Sequence, residues 1–349
     1  MPAPTETAFR ITTAAGSEVS CRPGQPLLDA FLRAGVWLPN SCNQGTCGTC
    51  KLRVTSGRVD HGASPEQTLP AEERAAGYAL ACQATPVCDT TVEPLTTGDG
   101  TAAGHVLKDF LGTVTEVADI ARDTRRIRLA LDEPLAFSAG QYAELRVPGT
   151  GATRPYSMAS SPADPTELEF HVRREPGGLA TDGWLFATVR PGDTVGLTGP
   201  LGDFCFDPAD DADDAEGMIL LGGGTGLAPL KSIARAALGA DPDREIHLYH
   251  GVRGAADLYD GEFFEDLARR HAGFHYVPCL SAEEWAGRTG YVSEVFLADF
   301  PASCRGYAGY LCGPPPMVEA GVKAFKRRRM APRRIHKERF TPAAAPPVR

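Results

Sequence analysis

Four cysteines near the start of the chain constrain its fold more than any other feature. Cys42, Cys47 and Cys50 are spaced C-x4-C-x2-C, and Cys82 follows after a gap of 31 residues. This is the ligand spacing of a plant-type [2Fe–2S] centre: a tight loop supplies three thiolates and a distant segment supplies the fourth. The loop reads NSCNQGTCGTC, where Gly45 and Gly48 let the backbone turn tightly and aim amide N–H groups at anionic sulfur. Zinc is the competing metal, but structural zinc usually takes two C-x2-C-type pairs, and here only one ligand lies outside the loop. Disulfides would require an oxidising compartment and a secretory signal. The N-terminal stretch MPAPTETAFRITTAAG has no apolar core for a signal peptide or an anchor. A [2Fe–2S] cluster moves electrons one at a time, so the spacing already points to redox chemistry.

At 349 residues the chain is expected to form two or three domains. No apolar run approaches the ~20 residues of a membrane span. The net charge of −9 argues against a nucleic-acid partner. The six remaining cysteines, Cys21, Cys88, Cys205, Cys279, Cys304 and Cys312, show no pairing pattern, which suits a reducing cytoplasm. Two stretches read as boundaries: the Gly/Thr-rich Thr96–Gly104 and the acidic run Asp207–Gly217. They divide the chain into residues 1–96, a linker at 97–106, residues 107–208, and residues 209–349.

Each piece has its own period. The first mixes short strand-like runs with one helical stretch, Pro26 to Gly35, as in a small α+β domain of the β-grasp type. In the second, GTVTEV, RRIRLAL, QYAELRV, LEFHVRR and DTVGLTG follow one another at turn-rich spacing, an antiparallel six-stranded β-barrel pattern. The third alternates strand and helix: MILLGGGTGLAPLKSIARAAL, EIHLYHGV, FFEDLARR, FHYVP and GYLCGPPPMVEAGVKAFKRRR. That order predicts an α/β domain built on a parallel sheet. The expected whole is multidomain.

The barrel piece contains Arg154-Pro155-Tyr156-Ser157, followed by Gly177-Gly178-Leu179-Ala180-Thr181. This pattern resembles the flavin-binding signature of the ferredoxin–NADP reductase superfamily. Its physical logic is direct. Arg154 can neutralise a flavin phosphate with a forked contact, and Tyr156 can pack on the flavin. The Ser157 hydroxyl can bond the flavin edge that receives hydride, and the glycine pair offers N–H groups to a pyrophosphate. In that superfamily the His171-Val172-Arg173 segment corresponds to further cofactor contacts.

In the third piece Gly222-Gly223-Gly224-Thr225-Gly226 follows an apolar strand and opens a helix. Leu227 and Pro229 stand where the dehydrogenase fingerprint G-x-G-x-x-G would seek a third glycine. The segment is instead similar to the G-G-G-T-G-x-A-P version of the same superfamily, which implies that Gly224, Thr225, Gly226 and Pro229 face a nicotinamide dinucleotide. Cys312-Gly313-Pro314 resembles the family's C-G-P segment beside the nicotinamide, and Glu338-Arg339-Phe340 resembles its E-x-F, whose aromatic ring covers the flavin. The resemblance therefore gives Ser157, Cys312 and Phe340 places at the reacting atoms. NADH is expected over NADPH. The stretch RGAADLYDGE holds one base, Arg253, against Asp257, Asp260 and Glu262, and a 2′-phosphate wants several cations.

The order of the three pieces resembles the reductase components of bacterial multicomponent oxygenases, such as those of benzoate dioxygenase, phenol hydroxylase and soluble methane monooxygenase. That resemblance implies FAD and a route from NADH through FAD to the [2Fe–2S] cluster. From there electrons would reach a terminal oxygenase, a non-haem dioxygenase or a di-iron monooxygenase, with a cytochrome P450 as the alternative acceptor. A non-turnover redox sensor is the rival from another class; no appended DNA-binding or signalling module is visible. The basic stretch Lys323–Arg339 reads as a solvated helix face.

Overall fold

A computed structural model describes residues 8–95, 104–206, 208 and 216–341. The expected linker and the acidic run fall largely outside them. Two compact units emerge. The first is the chain up to Asp109 together with Gly199–Asp203; the second is Phe110–Thr198 with the chain from Phe204 on.

The first unit contains β1 (Phe9–Thr13), β2 (Glu18–Cys21), α1 (Leu27–Arg33), β3 (Lys51–Ser56), β4 (Val59–Asp60), α2 (Ala71–Ala75), β5 (Tyr78–Leu80), β6 (Thr85–Pro86) and β7 (Thr90–Pro94). Five strands form one sheet in the order β2-β1-β7-β3-β5, in which β1 and β7 run parallel. Strand β1 alternates, turning Ile11 and Thr13 inward. Helix α1 starts after Pro26, which is tolerated there because the first helical turn needs no N–H from it, and the turn after it carries Gly35 at φ 73. It buries Leu27, Leu28, Ala30, Phe31 and Leu32. Burial of each large side chain contributes about 1.5–3 kcal/mol, so truncating Phe31 would open the β-grasp core.

The second unit holds two sheets. Strands β8 (Lys108–Ala121), β9 (Thr124–Leu131), β10 (Tyr142–Arg146), β11 (Thr153–Ser157), β12 (Glu167–Arg173) and β13 (Thr194–Leu201) form the first, in the order β11-β10-β13-β8-β9-β12. Its edge strands meet through a bridge between Met158 and Phe170, which closes the sheet into a six-stranded barrel. Val114, Ile127, Leu129, Leu145, Phe170 and Leu197 are among the residues that fill it.

The second sheet contains β14 (Gly217–Gly223), α3 (Leu227–Ala240), β15 (Ile246–Val252), α4 (Gly261–Arg270), β16 (Phe274–Leu280), β17 (Arg288–Thr289), α5 (Val292–Asp299), β18 (Tyr307–Gly313), α6 (Pro315–Arg327) and β19 (Ile335–Arg339). The order is β17-β16-β15-β14-β18-β19, with every recorded pair parallel. The run Met218-Ile219-Leu220-Leu221 serves both faces. Met218 and Leu220 pack with α3 and α4, while Ile219 and Leu221 pack with α5 and α6. A strand covered on both sides needs a continuous apolar run, which is why this segment does not alternate in character.

Candidate electron-transfer sites

The cysteine loop gathers its thiols in two pairs. The Cys50 and Cys82 sulfurs lie 3.3 Å apart, and the Cys42 thiol is hydrogen-bonded to the Cys47 thiol. Two thiols per metal ion is what a two-iron cluster needs. The hydrogen bond with Cys47 pulls the Cys42 thiol down to about 4 against its burial, with Thr46 and the Gln44 and Cys47 amides adding to the effect; Cys47 moves up in exchange. Contact with Cys82 lowers Cys50 in the same way and raises Cys82. The amides of Gln44 and Thr49 donate to Cys42 Sγ and Cys47 Sγ over 3.4 and 3.5 Å, and Gln83 Nε2 lies 3.7 Å from Cys82 Sγ. Gly45 and Gly48 both stand at φ 78, and a Cβ on Gly45 would press Pro65 and Gln83 at 3.0 Å. Soft thiols in pairs, with neutral N–H donors aimed at their sulfurs, fit an anionic [2Fe–2S] cluster.

The flavin signature lies along one edge of the barrel. Every residue of β11 is partly exposed, while its neighbour β10 is mostly buried. Arg154 donates to the Thr153 carbonyl over 2.7 Å. Tyr156 packs partly buried on the barrel core, and burial pushes its hydroxyl up. Ser157 pairs with Tyr142 and precedes the Met158–Phe170 bridge, so it sits where the two barrel edges meet. At the end of β12 a cleft of about 500 Å³ is lined by Asp123, Arg173, Arg174, Glu175, Pro176 and Asp182. Gly177, at φ 72, donates its N–H to Asp182 beside that cleft. A Cβ on Gly178 would strike the Thr181 hydroxyl at 2.4 Å. That hydroxyl is committed to the loop: it donates to the Glu175 carbonyl over 2.9 Å and accepts the Glu175 N–H over 3.1 Å.

The nicotinamide signature sits at the carboxyl edge of the parallel sheet, where open α/β sheets bind their ligands. Gly224 adopts φ 54, and its carbonyl accepts the Tyr259 hydroxyl over 3.2 Å. A Cβ on Gly226 would fall 2.1 Å from the Cys312 carbonyl, so only glycine allows that approach. A Cβ on Gly313 would lie 3.0 Å from the Gly223 carbonyl oxygen, Pro314 begins the turn into α6, and the Phe340 N–H donates to the Gly313 carbonyl over 2.9 Å. Glu338 lies in register with Cys312. Pro229 is buried in α3. Gly224, Thr225, Gly226, Cys312, Gly313, Pro314 and Phe340 thus share one edge of the sheet. The Cys312 thiol itself is fully buried, and burial first and the Glu338 charge second keep it protonated. Arg253 is exposed just past β15.

Two expected cofactor contacts lie elsewhere as side chains. The His171 imidazole is fully enclosed, with Nε2 2.7 Å from Glu169 Oε1, in an ion cluster between the barrel and the nucleotide sheet. It points there because β12 sends Phe170 and Val172 into the barrel and its alternate residues outward. Asp257 is 4 % exposed and holds Arg122 in a two-pronged pair at 2.9 and 2.6 Å, while its Oδ2 also accepts the Gly254 N–H. Its carboxylate is committed before any ribose arrives. Asp260, a second acid behind the expected NADH preference, is paired with Arg126 and Lys231. Lys231, Glu169, Arg126 and Tyr259 escaped sequence reasoning. Only the helical position of Lys231 on an otherwise apolar face hinted that it needed a buried partner.

Three family models match consecutive stretches: a 2Fe-2S iron-sulfur cluster binding domain over residues 12–87, an oxidoreductase FAD-binding domain over 112–206 and an oxidoreductase NAD-binding domain over 220–323. The chain is similar to the reductase subunit of an aromatic O-demethylase from Amycolatopsis sp. (strain ATCC 39116 / 75iv2). They are 62 % identical over 330 residues, covering 94 % of this chain and 98 % of the relative. It is also similar to the reductase component of phenol 2-monooxygenase from Pseudomonas sp. (strain CF600), 38 % identical over 94 % of this chain and 93 % of that one. Among solved structures, the Amycolatopsis cytochrome P450 reductase GcoB superposes with a TM-score of 0.91 at 61 % identity, covering 96 % of this chain and all of its own. With its thiol loop, flavin-type barrel and nicotinamide-type sheet edge in that order, the chain belongs to the family of iron–sulfur flavoprotein reductase components, NAD(P)H-dependent oxidoreductases that bind FAD and a [2Fe–2S] cluster and serve oxygenase systems.

Proposed function

We propose that this chain is the NADH-dependent reductase of a cytochrome P450 system that demethylates aromatic ethers, working in the reducing cytoplasm. The observation that carries this reading is the 62 % identity to an aromatic O-demethylase reductase subunit, against 38 % to a phenol hydroxylase reductase. It moves the preferred acceptor from the non-haem oxygenases, which the domain order alone favoured, to the P450 alternative.

Bound flavin supplies the step between a two-electron donor and a one-electron acceptor. The chain's residues supply the positions. Arg154, Arg173 and the turn at Gly177 and Gly178 hold phosphate, Tyr156 packs on the ring system, and Ser157 orients the reacting edge. Gly224, Thr225 and Gly226 admit the dinucleotide backbone, beside Gly313, Pro314 and the Phe340 ring. Cys42, Cys47, Cys50 and Cys82 hold the cluster that feeds the partner.

The choice of NADH rests on Arg253 being the one base in RGAADLYDGE, because Asp257 and Asp260 are engaged by Arg122, Arg126 and Lys231. The test offers the reduced protein three acceptors: an aromatic O-demethylating P450, a Rieske dioxygenase and a di-iron monooxygenase. Fastest reduction of the P450, read by its carbon monoxide difference spectrum, is the expected result. A faster non-haem acceptor would overturn it, and kcat/KM favouring NADPH would overturn the nucleotide assignment.

A further inference from the structure

Between the barrel and the nucleotide sheet lies a buried charge cluster that no cofactor motif explains. Lys231 on α3 is 3 % exposed. Its Nζ donates to Glu169 Oε1 on barrel strand β12 over 2.8 Å and to Asp260 Oδ2 at the start of α4 over 2.6 Å. Arg126 on β9 reaches Asp260 from the barrel side, and Arg128 reaches Glu169 over 2.9 Å. With Glu116, the cluster sets three carboxylates against three cations. Glu169, His171 and Asp260 have the donor set for a metal ion, but the Lys231 ammonium lies within 2.8 Å of two of them and serves as the cation.

Each partner of Lys231 leads to one half of the reaction. Glu169 is the neighbour of Phe170, whose bridge to Met158 joins the barrel edges beside Ser157. Lys231 sits four residues after Leu227, the first residue of the helix that follows the glycine turn. Asp260 holds φ 55, an uncommon conformation for a side-chain-bearing residue, and Lys231 and Arg126 grip its carboxylate. Next to it, Tyr259 packs edge-on against His171 and donates to the Gly224 carbonyl in that turn.

We infer that Lys231 is a positioning residue for hydride transfer: bridging Glu169 and Asp260, it fixes the register of the nicotinamide-binding turn against the flavin edge of the barrel. Its ammonium is taken up by the Glu169 and Asp260 carboxylates, so its role is to position and not to bind. Its effect falls on the limiting rate, because a misplacement of roughly 1 Å between reacting atoms can cost about 100-fold in rate, while the groups that bind the dinucleotide stay in place.

The test uses holoprotein carrying flavin and cluster, with stopped-flow reduction by NADH. Lys231→Met is expected to lower the limiting rate of flavin reduction by about 10- to 100-fold. Its Kd for NADH, read from the concentration dependence, should move by less than about threefold, with a larger deuterium isotope effect and a weaker charge-transfer band with NAD+. Glu169→Gln should show the same split, and the double variant should lose less than the product of the two single effects, because both variants break the Lys231–Glu169 contact. A limiting rate within about twofold of the parent, or a loss confined to Kd, would overturn the inference. If Lys231→Met does not accumulate with flavin bound, Glu169→Gln, which keeps the side-chain shape, decides by the same two constants.

Discussion

The loop around the four thiols and the seam between barrel and nucleotide sheet meet buried charge in opposite ways. Around the sulfurs the protein offers neutral dipoles: the Gln44 and Thr49 amides and the Gln83 side chain. At the seam it offers full charges, balanced three against three. A cluster must tolerate a charge that changes by one with every electron, and oriented N–H groups stabilise it without a fixed counter-ion. The seam never changes charge, so ion pairs can hold it rigid, provided none loses its partner. Fixed charge suits the part that must not move, and dipoles suit the part whose charge varies.

Removing a ligand breaks the dipolar side of this contrast most severely. Cys82→Ala should abolish the reduced-cluster electron paramagnetic resonance signal and electron delivery to a one-electron protein acceptor, while NADH-driven ferricyanide reduction by the flavin persists. An intact cluster signal would show that the fourth ligand lies elsewhere.

A titrating carboxyl in the first unit sharpens the comparison next. Burial pushes Asp203 up to about 7, opposed by the Asn40 amide, which donates to its Oδ2 over 2.9 Å. The folded state therefore holds this proton more tightly than the unfolded chain does. Stability from this group is fully present below the unfolded carboxylate value of about 4, and it is lost as pH rises through about 7. The loss is on the order of 4 kcal/mol. Asp203→Asn should flatten that part of the stability profile in urea titrations at pH 5 to 8; an unchanged slope would show that another group carries it.

On the charged side, Arg122→Ala strands the buried Asp257 carboxylate. Leaving that carboxylate unpaired destabilises the fold, so the denaturation midpoint should fall below that of the parent; an unchanged midpoint would show that Asp257 does not depend on Arg122. Asp257→Asn should leave the ratio of kcat/KM for NADH and NADPH unchanged; a tenfold shift would restore Asp257 to the ribose. A small effect on rate is expected at Ser157. The hydroxyl proposed to orient the reacting edge of the flavin would supply a neutral hydrogen bond worth about 1 kcal/mol, so Ser157→Ala should slow flavin reduction by roughly fivefold with the cluster intact.

The parts legible in the sequence are those whose partners are local or whose chemistry fixes a spacing. The cysteine loop, the glycine turn after Leu221 and helix α1 lie close to where the pattern set them, because each is specified within a few residues. The seam was not legible. Arg122 pairs with Asp257, 135 residues on, and Arg126 with Asp260, 134 residues on. An acid in a nucleotide-side loop looks like a ribose ligand until a distant arginine is seen to hold it. His171 was hidden in the same way: alternation along β12 turns it away from the barrel interior and onto Glu169, a partner that the motif alone does not reveal. Helix α5 carries no glycine-rich turn or cofactor residue to mark it, and it emerged only from the packing of Val292, Val295 and Phe296 on the sheet.

One detail of the first unit bears on how such reductases can be recombined. Asn40, two residues before the first cluster ligand, accepts the Gly202 N–H over 2.7 Å through its side chain and the Asp203 N–H over 2.8 Å through its carbonyl. These partners come from Gly199–Asp203, a stretch that begins in the last residues of β13 yet belongs to the cluster-bearing unit. That unit is therefore discontinuous in sequence. A graft made at the linker would carry Cys42, Cys47, Cys50 and Cys82 but leave Asn40 facing a foreign sequence. Exchanging electron-delivery modules between reductases then requires two crossovers, with the short return segment travelling with its ferredoxin.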